Sequence, residues 1–122
     1  MPEKPSVIVI GGGVFGLTAG LARVNETLDK SHARGLIDAQ SLADKQAALT
    51  GATDYASLSN TDMVIEAVFE DMAVKRDVFI RLDAVTRPDT ILATNTSYLD
   101  VGEIAQAVAD PSRVIGLHFF SP

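Results

Sequence analysis

Apolar positions in this chain follow two alternating rhythms. Short β-branched runs bounded by glycine or polar residues read as strands. Longer stretches with apolar residues three and four apart read as helices. Val7, Ile8, Val9 and Ile10 form the first run. Glycines follow it, and then a stripe of Val14, Leu17, Leu21, Val24 and Leu28 that stays on one helical face. Gly20 weakens that helix without shifting its phase. The spacing predicts one long helix from about Val14 to about His32, closed by Arg34 and Gly35. Asp38 caps a second helix through about Leu49, and 51–54 is a candidate short strand.

Residues 63–68, "MVIEAV", read as a second buried strand. Asp71 opens a helix with a stripe of Val74, Val78, Leu82 and Val85, and Pro88 stops it. Residues 90–95, "TILATN", form the next strand. Asp100 and Glu103 have capping-box spacing ahead of a helix carrying Ile104 and Val108. Asp110-Pro111 breaks that helix, and "RVIGLHFF" is the last strand.

Strands alternating with helices predict an α/β fold: a Rossmann-like parallel sheet with right-handed crossovers and helices on both faces. Ligands in such sheets bind beyond the carboxyl ends of the strands. Four strand ends therefore matter. The first presents Gly11, Gly12 and Gly13; the second Glu70 and Asp71; the third Asn95, Thr96 and Ser97; the last His118. Adjacent strands lie about 4.8 Å apart, so Ser97 and His118 can share a ligand if their strands are neighbours.

Gly11, Gly13 and Gly16 spell G-x-G-x-x-G between a strand and a helix. In that context the first glycine permits the turn and the second lets backbone approach a pyrophosphate. The third lets helix and strand pack, and the helix N-terminus offers free N–H groups to phosphate. An ordinary glycine turn is the alternative. The acid that holds the adenosine ribose in such folds lies about 20 residues further on, at the end of a second strand. Counting reaches Asp38, which reads as a helix cap; Glu26 and Asp29 read as solvent-facing, and no second strand is visible before Gly51.

Composition narrows the chemistry. At 122 residues the chain suffices for one domain. Its 47% hydrophobic and 21% charged residues are ordinary for a folded chain and argue against disorder. Apolar runs are too short for a membrane span, and the N-terminus has no signal pattern. Cysteine is absent, which removes disulfide and thiolate chemistry and fits a reducing, cytoplasmic setting. A net charge of −6 argues against nucleic acid or an anionic membrane as partner, but not against a phosphate held by backbone groups. Two histidines, His32 and His118, leave no metal cluster. His32 reads as exposed. At the binding edge, the imidazole of His118 suits a general base near neutral pH. Ser97 is a turn hydroxyl or a substrate ligand. Glu66 sits in a buried strand and needs a partner. Lys75 reads as solvated, with reach toward the cofactor edge.

Three stretches carry a resemblance: "VIEAVFEDMAVKRDVF", "ILATNTSYLDVGEIA" and "VIGLHFFSP". Together they resemble the NAD-binding domain of 3-hydroxyacyl-CoA dehydrogenases, in wording closest to the dehydrogenase part of bacterial multifunctional β-oxidation enzymes. The likeness runs almost continuously over 62–122, and Gly11 to Gly16 also fits, with Phe15 where methionine is common. "GLARVNETLDKSHARGLID" resembles the helical segment after that family's second strand. The resemblance thus implies that the chain passes from the start of the first helix straight into the next. The rest of that helix, the second strand and its ribose-binding acid are then missing, and 51–54 is a candidate replacement strand beside the first.

The resemblance further implies NAD as cofactor, an acyl-CoA as substrate, and oxidation of a 3-hydroxyl to a ketone in fatty acid β-oxidation. It makes His118 the base, and gives Ser97 and Asn95 contacts to substrate and nicotinamide ribose. Gly11, Gly13, Val14, Phe15 and Gly16 fall in the phosphate turn, and Ala67, Glu70 and Lys75 along the cofactor cleft. The family's glutamate that orients the histidine, and its helical second domain, lie beyond Pro122. The whole of 1–122 then reads as a single, incomplete NAD-binding domain, weak or inactive alone. The competing readings are a non-catalytic nucleotide-binding module and a fragment completed by a partner chain; a homo-oligomer is a further possible assembly.

Overall fold

The computed structural model describes residues 5–11 and 13–120, with the side chains of 13–16 outside that description. It divides into two compact units, 1–11 with 54–122 and 12–53.

The first unit holds the sheet. Strands β1 (Val7–Ile10), β2 (Met63–Glu66), β3 (Ile91–Asn95) and β4 (Val114–Leu117) lie in the order β1-β2-β3-β4, every pair parallel. This is the predicted α/β class without its usual second strand. The register aligns Ile8 with Val64, Leu92 and Val114, and Ile10 with Glu66, Thr94 and Gly116. Side chains alternate along a strand, so these two rows share one face.

Helices α3 (Met72–Val85) and α4 (Val101–Ala105) pack on that face. The core joins Val64 and Leu92 to Val78, Phe79 and Leu82 of α3 and to Ile104, with Ile8, Ile10 and Val114 packed against it. Their start sites are local chemistry. Asp71 accepts the Val74 N–H at 3.0 Å, and Asp100 accepts the Gly102 N–H at 2.7 Å, each satisfying an amide that the first helical turn leaves free. The sequence predicts helices on both faces; α3 and α4 are seen on one.

Three predictions are corrected here. β1 is not buried on both faces: Val7 and Val9 are 54% and 64% exposed, because side chains alternate along the strand and only Ile8 and Ile10 meet the core. The stripe of α3 holds at Val78, Leu82 and Val85 but not at Val74. Val74 is 41% exposed, whereas Lys75, Val78, Phe79 and Leu82 are buried at spacings of three, one and three. Residues 51–54 form no strand, so nothing among the described residues replaces the missing second strand beside β1.

The second unit pairs α1 (Gly13–Ala33) with α2 (Ala39–Ala47). α1 is the predicted long helix, about 31 Å at the helical rise. Leu17 and Leu21 reach Gly51, where an added Cβ would meet their methyl groups at 3.1–3.3 Å. Asp38 caps α2 through the Ser41 N–H at 2.7 Å. That contact holds its carboxyl below the usual carboxylate range.

Candidate functional site at the carboxyl edge of the sheet

Register decides which residues meet. One step beyond the row Ile10–Glu66–Thr94 come Gly11, Ala67 and Asn95, and Asn95 is paired with Leu117. His118 is the next residue of β4's chain, as Thr96 is of β3's. Gly11, Ala67, Asn95 and His118 therefore stand along one edge of a parallel sheet, spread over three strand intervals of about 4.8 Å each. Ser97 and His118 follow neighbouring strands, as required for a shared ligand.

Gly11 is fixed by geometry. Its φ is +155°, and a Cβ there would lie 2.5 Å from the Ala67 carbonyl oxygen. Only glycine permits that approach, which the Ala67 N–H to Ile10 O bond of 2.8 Å holds in place. Gly13 and Gly16 open α1, in the second unit; the predicted roles of the Val14 and Phe15 side chains lie outside the described residues.

Beneath the edge is a buried charge cluster. Glu66 and Lys75 are both fully buried, with Lys75 Nζ 2.7 Å from Glu66 Oε1. Glu66 Oε1 also accepts the Val68 N–H at 2.8 Å, and its Oε2 accepts Thr94 Oγ1 at 2.6 Å. Lys75 further donates to the carbonyls of Asn95 at 3.2 Å and Val68 at 3.4 Å. Glu66 thus has the partner its burial demands. Lys75 is not solvated, as its sequence position suggests, but occupies a core position of α3.

Above this floor, Glu70 ties two loops together. Its carboxylate accepts the Thr96 hydroxyl and, at 3.4 Å, the Ser97 N–H. Thr96 Oγ1 in turn accepts the Leu99 N–H at 3.0 Å. Asn95 is half-buried and Ser97 exposed. The β4 end is more open. His118 is exposed, and its ring meets Phe120 edge-on at 4.6 Å. Among the described residues no carboxylate bonds to it.

Two absences bear on a dinucleotide. The Asp38 carboxylate is committed to its helix cap, and no described strand lies outside β1 to carry a ribose-binding acid. No group of His, Cys, Asp and Glu among the described residues could hold a metal ion. No described helix is long and apolar enough to cross a membrane. A hollow of about 260 Å³ lined by Asp83, Thr86, Pro88, Ala109, Asp110 and Arg113 lies at the opposite, amino edge. Arg113 there is already bonded to Asp83, Thr86 and two carbonyls, so that hollow is part of the scaffold.

Residues 7–122 match the family model described as 3-hydroxyacyl-CoA dehydrogenase, NAD binding domain. The chain belongs to that family. NAD is the cofactor that this family of domains binds. A 3-hydroxybutyryl-CoA dehydrogenase of Mycobacterium tuberculosis is 42% identical over 107 residues, covering 87% of this chain and 37% of that protein. The fatty acid oxidation complex subunit alpha of Vibrio vulnificus is 34% identical over 148 residues, covering 99% of this chain and 21% of that protein. The crystal structure of a 3-hydroxybutyryl-CoA dehydrogenase from Escherichia coli superposes with a TM-score of 0.88 at 28% identity, over 98% of this chain and 30% of its own. The chain thus spans little more than a third of these relatives' length, or less. The Vibrio alignment is 148 positions long against 122 residues here, so at least 26 positions of that relative face a gap.

Proposed function

We propose that this chain is the cofactor-binding part of a 3-hydroxyacyl-CoA dehydrogenase, shortened inside its first crossover. The observation that carries this is the carboxyl edge itself, where the row Gly11, Ala67, Asn95 ends on Leu117 and His118 follows it directly. The resemblance assigns Gly11, Gly13, Val14, Phe15 and Gly16 to the pyrophosphate, and Ala67, Glu70, Asn95 and Ser97 to the nicotinamide half. The resemblance counts Lys75 in the same set. The fit is good at that half and poor at the adenosine ribose, where the carboxylate is missing. Losing such a charge-assisted hydrogen bond weakens binding by about 1.5–3 kcal/mol.

NAD, when bound, supplies the hydride acceptor. A ring nitrogen of His118 takes the proton from the 3-hydroxyl of an acyl-CoA, and Ser97 and Asn95 hold that hydroxyl and the cofactor in place. The cytoplasm is the proposed setting. No carboxylate among the described residues bonds to His118 to orient it, and slow reduction is expected.

The second reading is a fragment completed by a partner chain or by a second copy. It is favoured by Phe119 and Phe120, 62% and 85% exposed directly after His118. Titration calorimetry with NADH, followed by acetoacetyl-CoA reduction read at the NADH absorbance, separates the readings. Micromolar binding with slow reduction supports the proposal. Reduction only after adding a separate C-terminal domain supports the fragment. No heat with millimolar NADH removes both the cofactor site and the enzyme.

A further inference from the structure

Three consecutive residues after β3 turn back on a single residue after β2. Thr96 Oγ1 donates to Glu70 Oε1, the Ser97 N–H to Glu70 Oε2 at 3.4 Å, and the Tyr98 hydroxyl to the Glu70 carbonyl at 3.5 Å. The last two lie at the outer limit of hydrogen bonding and hold little by themselves. Thr96 makes the firm tie, because a hydroxyl bound to a carboxylate is roughly twice as strong as a neutral pair. The same oxygen accepts the Leu99 N–H at 3.0 Å, three residues ahead. That forward bond closes the turn leading to Asp100, the cap of α4. One half-buried hydroxyl thus joins the loop after β2 to the loop after β3 and shapes the second of them. The residues on either side of it are held differently. Among the described residues, neither the Asn95 side-chain amide nor the Ser97 hydroxyl makes a hydrogen bond, whereas the backbone of each is engaged, Asn95 by Lys75 and Ser97 by Glu70. The hydroxyl between them gives its only proton to Glu70, whose carboxylate keeps lone pairs to spare.

We propose that Thr96 is a positioning residue for the carboxyl edge: its hydroxyl clasps the loop after β3 to Glu70 and so holds Asn95 and Ser97 in place with their polar ends unpaired. It acts through Glu70 and through its two neighbours in the chain. A group that must meet a ligand needs its own rotamer fixed by a supporting contact, and the Thr96 hydroxyl supplies that contact from within the loop. What Asn95, Ser97 and Glu70 meet rests on the NAD reading above; the clasp itself does not.

The test compares Thr96→Val, which removes the hydroxyl, with Thr96→Ser, which keeps it. Amide hydrogen exchange without ligand reads the loop. In Thr96→Val the Leu99 amide loses its acceptor outright, so the deciding amide is that of Ser97, whose partner is Glu70. It should exchange severalfold faster in Thr96→Val and at the parent rate in Thr96→Ser. The Val68 amide, bonded to Glu66 and not to Glu70, should keep its rate in both. By calorimetry, NADH affinity should fall about tenfold in Thr96→Val, the effect of one lost hydrogen bond to a charged group, and return to the parent value in Thr96→Ser. An unchanged Ser97 amide in Thr96→Val, or a Thr96→Ser chain that binds as weakly as Thr96→Val, overturns the proposal. No NADH uptake by the unsubstituted chain removes the NAD reading and the cofactor role of Thr96 with it, and the Ser97 amide then decides the clasp alone. Should Thr96→Val fail to fold, three-bond couplings of Thr96 in the unsubstituted chain decide. A single χ1 rotamer supports the clasp, and couplings averaged over rotamers overturn it.

Discussion

The two edges of this sheet are built from similar residues and serve different ends. At the amino edge, charges close on one another. Asp62 accepts the Ser6 N–H at 2.6 Å and pairs with Arg87 at 2.8 Å, and Arg113 pairs with Asp83 at 2.7 Å. Threonines do the same, with Thr90 Oγ1 bonded to the Thr61 carbonyl at 2.8 Å. These contacts bind strand starts and helix ends, and they finish the structure. At the carboxyl edge the charges are sunk below the surface as Glu66 and Lys75. Above them Glu70 is bonded to the 96–97 loop, and the groups left open are of another kind: an amide, hydroxyls, an imidazole and four exposed aromatics, Phe69, Tyr98, Phe119 and Phe120. A sheet that merely had to fold would have no reason for such asymmetry. The lower tier keeps its own geometry; the upper tier is left to something else.

Substitutions can sharpen or break that contrast. The largest effect is expected for Glu66→Gln, which strands the Lys75 ammonium in the interior. Breaking a buried pair from one side costs about 3–5 kcal/mol, read as a shift in urea midpoint. A loss below about 1 kcal/mol would mean that the cluster is solvated and the floor is not rigid. Gly11→Ala comes next. Its Cβ would press on the Ala67 carbonyl, at a cost of about 1–3 kcal/mol for forced overpacking, and NADH binding should weaken with it.

The amino edge answers to acid. The Ser6 N–H and the Arg87 guanidinium hold the Asp62 carboxyl below its ordinary value of 3.8. A carboxylate depressed in the folded state adds stability above its unfolded pKa, and that contribution is lost as pH falls through the folded value. The acid limb of a stability–pH curve below about pH 4 should therefore flatten in Asp62→Asn, with little change at pH 7 in its slope. An identical acid limb would remove Asp62 from the account. The smallest effect belongs to His118→Gln. The ring is exposed and joined to Phe120 by a single edge contact. Stability should stay within about 0.5 kcal/mol of the parent, while any acetoacetyl-CoA reduction falls by about 10²–10⁴. A large loss of stability would make the histidine structural.

Much of this was legible in the chain before any coordinates, and the residues show why. Caps are local: Asp38, Asp71 and Asp100 each bond amides two or three residues ahead, so sequence spacing suffices to find them. The four strands and their order of chemistry follow from apolar runs and from the rule that parallel strands end on one side. The Lys75–Glu66 pair is not local in the same sense. Its two residues are nine apart, on a strand and on the next helix, and a lysine inside an apolar stripe looks like an interruption. The signal was present all the same. Lys75, Phe79 and Leu82 keep helical spacing, and the buried strand carboxylate of Glu66 called for a cation. The reading had Val78, Leu82 and Val85 on the packing face but began the stripe at Val74, one residue before the buried Lys75. The strand expected at 51–54 failed for a different reason. Gly51 is placed by contact with Leu17 and Leu21 of α1, not by pairing with β1. Edge pairing depends on a neighbour's register, which a four-residue stretch does not encode.

The claim on which the rest depends is that the carboxyl edge of this sheet is the cofactor surface. Amide NMR during NADH titration tests it directly. The account predicts shifts concentrated at Gly11, Ala67, Glu70, Asn95 and Ser97, with Ser6, Asp62 and Arg113 at the amino edge unmoved. Shifts centred on the amino edge, or spread without pattern over both, would contradict it.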